Sequence, residues 1–179
     1  AFIHGFRYLI RSFININTNN IIKHNLNCNQ IINKILNRIN NSSGLYQMFG
    51  NLVDILIKND DNNFIYIEEL PFNFIKTNLL INTEESIIIS LNYGKNYGGE
   101  INFIDDLKNS TYVFGKNRSN VLPSVSHKSN FLHPILNYYK FNQLIETKHI
   151  SEELNTNWYH EVYHINPLKK FINNVFKTN

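Results

Sequence analysis

The chain has 179 residues, 42% hydrophobic and 13% aromatic, with one cysteine and a formal charge of +3. That content suits one domain with a real core and excludes a disordered chain, which would be poor in rings. The lone thiol, Cys28, excludes an internal disulfide, a Cys-x-x-Cys redox pair and a thiolate-rich zinc site.

Asparagine is the unusual component, with 33 Asn and 26 Ile against 7 Gly and 4 Pro. It is scattered rather than homopolymeric, so it reads as the bias of an AT-rich coding sequence and not as a low-complexity tract. Residues 1–58 carry six Lys/Arg against the single acid Asp54, whereas residues 59–106 carry nine acids against two Lys. No Lys/Arg cluster reaches the roughly five to eight residues of a nucleic-acid patch, and ordinary solvated faces are expected. Apolar runs such as Ile87-Ile88-Ile89 fall far short of the ~20 residues of a membrane span. The first ten residues lack a signal-peptide cleavage site. The chain starts at Ala1 and its one Met is Met48, which reads as a piece of a longer protein.

In chain order, residues 5–16 place Phe6, Leu9, Ile10 and Phe13 at helical spacing, with Arg7 and Arg11 on another face. A second helix is predicted over 27–40 through Ile31, Ile35, Leu36 and Ile39. A third is predicted from Leu45 to Ile57 through Met48, Phe49, Leu52, Val53 and Leu56. After an Asp/Asn turn at 60–63 the period changes to two across Phe64–Leu70. Ile87–Leu91 reads as a buried strand, ending in a turn at Gly94–Gly99. Residues 100–130 read as a long loop, and Phe131–Phe141 and Leu144–Ile150 as two strands joined by a tight turn. A final helix spans Pro167–Phe176, with Pro in its first turn. The expectation is an α+β domain: a small, mainly antiparallel sheet of three to four strands between N-terminal helices and a C-terminal helix.

His160-Glu161-Val162-Tyr163-His164 matches the His-Glu-x-x-His pattern of zinc peptidases, in which two imidazoles one turn apart hold the metal and the Glu activates water. The 15 residues after His164 contain no third ligand, and Asn166-Pro167 restricts the backbone where the helix should continue. Histidines near the end of a strand or loop are the better expectation, and no metal site is assigned. Ser126-His127 and Ser129…His133 lack a Gly-x-Ser-x-Gly elbow. The neighbouring carboxylates Glu68-Glu69, Glu84-Glu85 and Asp105-Asp106 should face opposite ways along a strand and read as solvated edges. The sequons at Asn40, Asn41, Asn109 and Asn117 arise readily from composition alone in so Asn-rich a chain.

The opening Phe2-Ile3-His4-Gly5-Phe6-Arg7-Tyr8-Leu9-Ile10-Arg11 contains no Asn. It resembles the last helix of the flavin-binding domain in the FAD-dependent oxidoreductase domain-containing protein 2 family, also called the endoplasmic reticulum flavoprotein associated with degradation. The likeness continues in order through Ser43-Gly44-Leu45-Tyr46-Gln47-Met48-Phe49, Tyr66-Ile67-Glu68-Glu69 with Pro71, and Leu91–Tyr97. It resumes at Ser129-Asn130-Phe131-Leu132-His133-Pro134 with Tyr138-Tyr139, and ends at His164–Phe171.

The resemblance implies the C-terminal region of a flavoprotein, with residues 1–15 the last helix of an upstream FAD-binding domain and 16–179 an α+β accessory domain. FAD and NADPH would bind mostly upstream, since this chain has no Gly-x-Gly-x-x-Gly turn. Only the opening helix would reach the flavin, through His4, Gly5, Phe6 and Arg7 near the isoalloxazine ring. No catalytic residue is expected here, and the fragment alone would be accessory and partner-binding. The implied setting is the endoplasmic reticulum lumen and the degradation of misfolded glycoproteins, with that machinery as partners. The end at Lys177-Thr178-Asn179 carries no Lys-Asp-Glu-Leu type signal. A non-enzymatic interaction module that has lost the flavin is the alternative.

Overall fold

A computed structural model describes residues 2–60, 63–93, 126–129, 131–153 and 157–177. Helix α1 (Phe2–Asn17) leads to strand β1 (Lys23–Asn27), whose last residue is also the N-cap of α2 (Cys28–Asn41). The Asn27 side chain accepts from Asn29 N–H, and Gln30 Oε1 accepts from Asn27 N–H, forming a capping box. A short helix α3 (Ser43–Gln47) follows, then strands β2 (Leu52–Lys58) and β3 (Asn63–Pro71). From β3 the chain runs through α4 (Phe72–Phe74), a π turn at Ile75–Leu79 and a 3-10 turn at Leu80–Asn82. Strand β4 (Glu85–Asn92), a 3-10 turn at Ser126–Lys128 and the hairpin β5 (His133–Lys140) and β6 (Gln143–His149) come next. A π turn at Glu161–Ile165 continues into helix α5 (Asn166–Phe176).

The sheet is antiparallel throughout, in the order β1-β3-β2-β4-β5-β6. The α+β class is as expected, but among the described residues the sheet has six strands rather than three to four. Two of them are invisible to periodicity. Strand β1 reads Lys-His-Asn-Leu-Asn and offers no apolar alternation. Strand β2 lies where a helix over Leu45–Ile57 was expected, because Leu52–Leu56 are buried on both faces and give a continuous apolar run. The turn read at Gly94–Gly99 and nearly all of the loop read at 100–130 lie outside the described residues.

Both faces of the sheet are covered. On one, Ile31, Ile35 and Ile39 of α2 and Leu168, Phe171 and Phe176 of α5 pack against Leu56, Phe64, Tyr66, Ile87, Ile89 and Tyr138. On the other, Val53, Ile55, Ile67, Leu70, Ile88 and Tyr139 pack against Ile75 and Leu80 of the helical passage after β3, with Ile16 of α1. The strict alternation of Ile87, Ile88 and Ile89 between the two cores follows from the two-residue period of a strand. His133-Pro134 opens β5, where the missing N–H of proline costs no interior ladder bond.

Much of the asparagine has a local use. Nδ2 of Asn17, Asn40, Asn41 and Asn78 donates to the carbonyl four residues earlier, at 2.8, 2.8, 2.9 and 3.0 Å. Three of these lie in the last turn of α1 or α2, where the side-chain amide adds a second donor to a carbonyl that the helix already serves with a backbone N–H. Among the described residues no helix is long and apolar enough to cross a membrane.

Candidate functional site

Among the described residues, three neighbourhoods of chemically capable side chains bear on the sequence expectations. The first is the face of α1 turned toward the rest of the domain. Gly5, Tyr8, Ser12 and Ile16 recur at three- and four-residue intervals and point inward. The space beside Gly5 belongs to Met48: a Cβ there would come within 2.6 Å of its Sδ and 3.1 Å of the Gln47 carbonyl oxygen. Gly5 therefore admits the segment following α3. His4, Phe6 and Arg7, the other residues assigned to the flavin from the sequence, are exposed on the first two turns. Arg7 donates to the Tyr8 hydroxyl at 2.7 Å, and its guanidinium and that of Arg11 sit 4.7 and 5.0 Å from the Tyr8 ring centroid. Hydrogen bonds with Ser43 and Arg7 hold the Tyr8 phenol below its ordinary range. Helix α1 runs unbroken through residue 15, so its last turn and its first belong to one rod.

The second neighbourhood is a charged hub centred on Arg38 of α2. Its Nε donates to Asp54 Oδ2 at 2.8 Å and its Nη2 to Asp54 Oδ1 at 3.2 Å. Nη2 also reaches Ser42 Oγ and Glu69 Oε1, both at 3.2 Å, and Nη1 lies 3.0 Å from Glu68 Oε2. Asp54, fully buried, accepts further from the Tyr66 hydroxyl and from Glu69 N–H, each at 2.8 Å. Glu68 gathers Lys34 at 2.6 Å and His24 at 2.9 Å, and Glu69 pairs with Arg11 of α1. Burial pushes Asp54 up against the opposing pull of Arg38, the Glu69 amide and Tyr66. Burial also acts to raise Glu68 and Glu69, but the surrounding cations and Ser42 prevail and hold both below the usual carboxylate value.

This hub overturns the reading of Glu68-Glu69 as a solvated edge whose side chains diverge. Both converge on Arg38, because Glu69 takes a left-handed backbone (φ +49°) and the register shifts between Val53 and Ile55. The extra residue turns Glu69 over onto the face of Glu68. Gly44 makes room: a Cβ there would lie 2.8 Å from the Glu69 carboxylate. The signal in the sequence was the charge of Arg38, Lys34 and Asp54 amid helix and strand positions; the reversal at Glu69 left none.

The third neighbourhood joins the outer ends of β5 and β6. Buried His133 has Nδ1 2.8 Å from the Phe131 carbonyl and Nε2 2.8 Å from His149 Nδ1. The carbonyl can only accept, so His133 carries its proton on Nδ1, and His149 Nδ1–H donates to the bare His133 Nε2. Burial pulls the His133 imidazole below its ordinary value. Ser129 Oγ donates to the Phe131 carbonyl at 3.3 Å, and Ser126 Oγ donates to the His149 carbonyl at 3.1 Å.

His160 and His164 both hold backbone N–H groups of the same π turn. His160 caps the π turn, its Nδ1 accepting from Val162 N–H, while His164 Nδ1 accepts from His160 N–H, each at 3.2 Å. Helical backbone does continue across Asn166-Pro167, contrary to expectation, because Pro falls in the first turn of α5 where its missing N–H is not needed. Among the described residues no group of three or more His, Cys, Asp or Glu could hold a metal ion. Cys28 lies at the start of α2, beside a groove of about 460 Å³ shared with Ile32, Ile165, Lys169 and Ile172.

The ordered sequence blocks meet in space. Gly5 touches Met48, Gly44 touches Glu69, Gly50 N–H donates to the Leu91 carbonyl at 3.0 Å, and Leu91-Asn92 pair with Pro134-His133. No family model and no solved structure matches the chain. Over 209 aligned residues it is 29% identical to FAD-dependent oxidoreductase domain-containing protein 2 of Mus musculus, covering 99% of this chain and 29% of the mouse protein. The protein of the same name from Danio rerio is 29% identical over 204 residues, covering 99% of this chain and 28% of the relative. The chain thus spans less than a third of the length of these curated relatives. It is similar over almost its whole length to FAD-dependent oxidoreductase domain-containing protein 2, as its ordered blocks imply.

Proposed function

We propose that the chain is the C-terminal part of a longer FAD-dependent oxidoreductase, in which it serves as an accessory, partner-binding domain. The single observation that carries this is similarity along 99% of the chain to two proteins named for an FAD-dependent oxidoreductase domain. The flavin would sit mostly in the rest of the polypeptide, and residues 1–15 would be the last helix of its binding domain. From this chain it would meet the first turns of α1: His4 and Arg7 as exposed polar groups and Phe6 as an exposed ring, while the buried Gly5 would act by letting α1 seat against Met48. Amide N–H groups at a helix start favour electron-rich ligand edges, and Arg7 adds charge beside them. FAD, when bound, would take a hydride from NADPH and pass electrons onward. The lone Cys28 leaves this chain no dithiol of its own, so the acceptor would lie elsewhere. By the same family resemblance, the protein would act in the endoplasmic reticulum lumen on the disposal of misfolded glycoproteins.

The test is to purify the longer polypeptide and record its visible spectrum and its reduction by NADPH. Flavin bands bleached by NADPH are expected, with Arg7→Ala weakening FAD binding by roughly tenfold, the loss of one charge-assisted contact. A colourless polypeptide that takes up no FAD would sink the reading in favour of a non-enzymatic interaction module. Unchanged FAD affinity and flavin potential in Arg7→Ala would remove Arg7 from the site.

A further inference from the structure

Helix α1 turns more large apolar side chains to solvent than to the domain. The face it packs on the domain carries Gly5, Tyr8, Ile16 and Ser12, whose Oγ donates to the Glu69 carbonyl at 2.5 Å. The face it turns to solvent is large and apolar: Ile3 is 85% exposed, Phe6 53%, Ile10 58%, Phe13 64% and Ile14 52%. A surface helix ordinarily buries its apolar stripe and presents its charges to water. Here the two arginines fold back over Tyr8, and Arg11 is held by Glu69. The outward stripe is left without a charge along about 15 Å of helix, at the three- and four-residue spacing that interlocks with another helix.

We infer that this outward face of α1 is an interface, and that its occupant is the remainder of the same longer polypeptide. The inference deepens the flavoprotein reading and rests on it for the nature of that remainder. Two observations choose the occupant. The chain spans only 29% of the length of the mouse relative it matches from end to end, so most of a polypeptide of that kind lies outside the described domain. The stripe is also too small for a second copy. One helix face of this length offers a few hundred Å² per side, below the ~800 Å² per partner of a stable complex between separate chains. A tethered partner needs less, because the linker supplies an effective concentration in the millimolar range. On this reading α1 is the filling between two bodies. Its inner face is fastened by Met48, Glu69 and Ser43, and its outer face accepts an uncharged apolar surface. His4 and Arg7 lie at the margin between the faces, which gives the flavin-side residues a defined edge.

The test places a photoreactive benzoyl-phenylalanine at Phe13 of the longer polypeptide, irradiates it at micromolar concentration, and maps the cross-links by mass spectrometry. The expected product has the mass of one polypeptide, with Phe13 joined to a residue outside the 179, and the Ile10→Asp substitution lowers its yield at least fivefold. Cross-linked dimers, cross-links confined to the 179 residues, or no cross-link at all would overturn the inference. The visible spectrum of the same sample keeps the two ideas apart. A yellow polypeptide without the expected cross-link overturns the docking and spares the flavoprotein reading, and a colourless one with it does the reverse.

Discussion

Arg38 and Asp54 face each other across the α2–sheet interface in a two-point contact, Nε to Oδ2 at 2.8 Å and Nη2 to Oδ1 at 3.2 Å. The pair is the pivot on which α1, α2, β2 and β3 agree about position, since Arg38 also engages Glu68 and Glu69, and Glu69 in turn holds α1.

Removing the guanidinium leaves three carboxylates crowded around a vacated buried site. Arg38→Ala should destabilise the fold by about 3–5 kcal/mol, the range for breaking a buried pair from one side. Arg38→Lys should recover only part, because an ammonium cannot make the planar fork. Urea denaturation measures both; a loss under about 1 kcal/mol for Arg38→Ala would show that the hub is not a structural pivot.

At Gly5 the obstruction combines a movable Met48 side chain with a fixed Gln47 carbonyl. Gly5→Ala gains up to about 1 kcal/mol of helix propensity and loses a similar amount to the contact, so stability should change little. Gly5→Leu cannot be absorbed and should cost about 2–3 kcal/mol, part of it returned by Met48→Ala in a double-mutant cycle. Independent, additive effects would mean that α1 does not approach Met48 closely.

The β5–β6 turn has positive φ at both central residues, Phe141 (+46°) and Asn142 (+63°). This is type I′ geometry, which suits Asn-Gly and not a bulky ring. Phe141 is 64% exposed, and its ring meets a distant cation, Lys140 Nζ 6.0 Å from its centroid. Replacing Phe141-Asn142 by Asn-Gly should raise stability by about 0.5–1 kcal/mol, read as an upward shift of Tm by a few degrees. A fall in Tm would show that Phe141 makes a contact worth more than its strain.

Burial pulls the His164 imidazole down to about 4, with Glu153 opposing and His160 adding to the effect. The folded state thus holds this proton more weakly than the unfolded chain, whose histidine titrates near 6.5. Its contribution is complete above pH ~6.5 and is lost as pH falls toward 4, by an amount on the order of 3 kcal/mol. His133 acts in the same direction, while buried Glu152, pushed up by burial, acts in the opposite one. The comparison with His164→Gln isolates the term: the variant should lose less stability between pH 7 and 5 in parallel urea titrations. Identical slopes would refute it.

What could be read from the sequence follows physical lines. Helices α1, α2 and α5 have one apolar stripe each, and β3, β4 and the β5–β6 pair have runs bounded by turns, so all were legible. Strand β2 was not, because a strand buried on both faces loses the alternation that marks it, and Leu52, Val53 and Leu56 fall by chance on a helical period. The convergence of Glu68 and Glu69 was hidden for a related reason: one residue in a left-handed conformation inverts the parity of β3 from Glu69 onward. The sequence did mark His4, Gly5, Phe6 and Arg7 as unusual, but not that Gly5 looks inward to Met48 while Phe6 looks out.

The back-bonded asparagines carry a consequence for the helix ends. A side-chain amide that closes on the carbonyl one turn below spends its donor within its own helix, on a carbonyl the backbone already serves. At the ends of α1 and α2, Asn17 and Asn41 thus place their amide donors without calling on a neighbouring element. Asn27 stands apart from these, because its capping box makes the start of α2 depend on the residue itself.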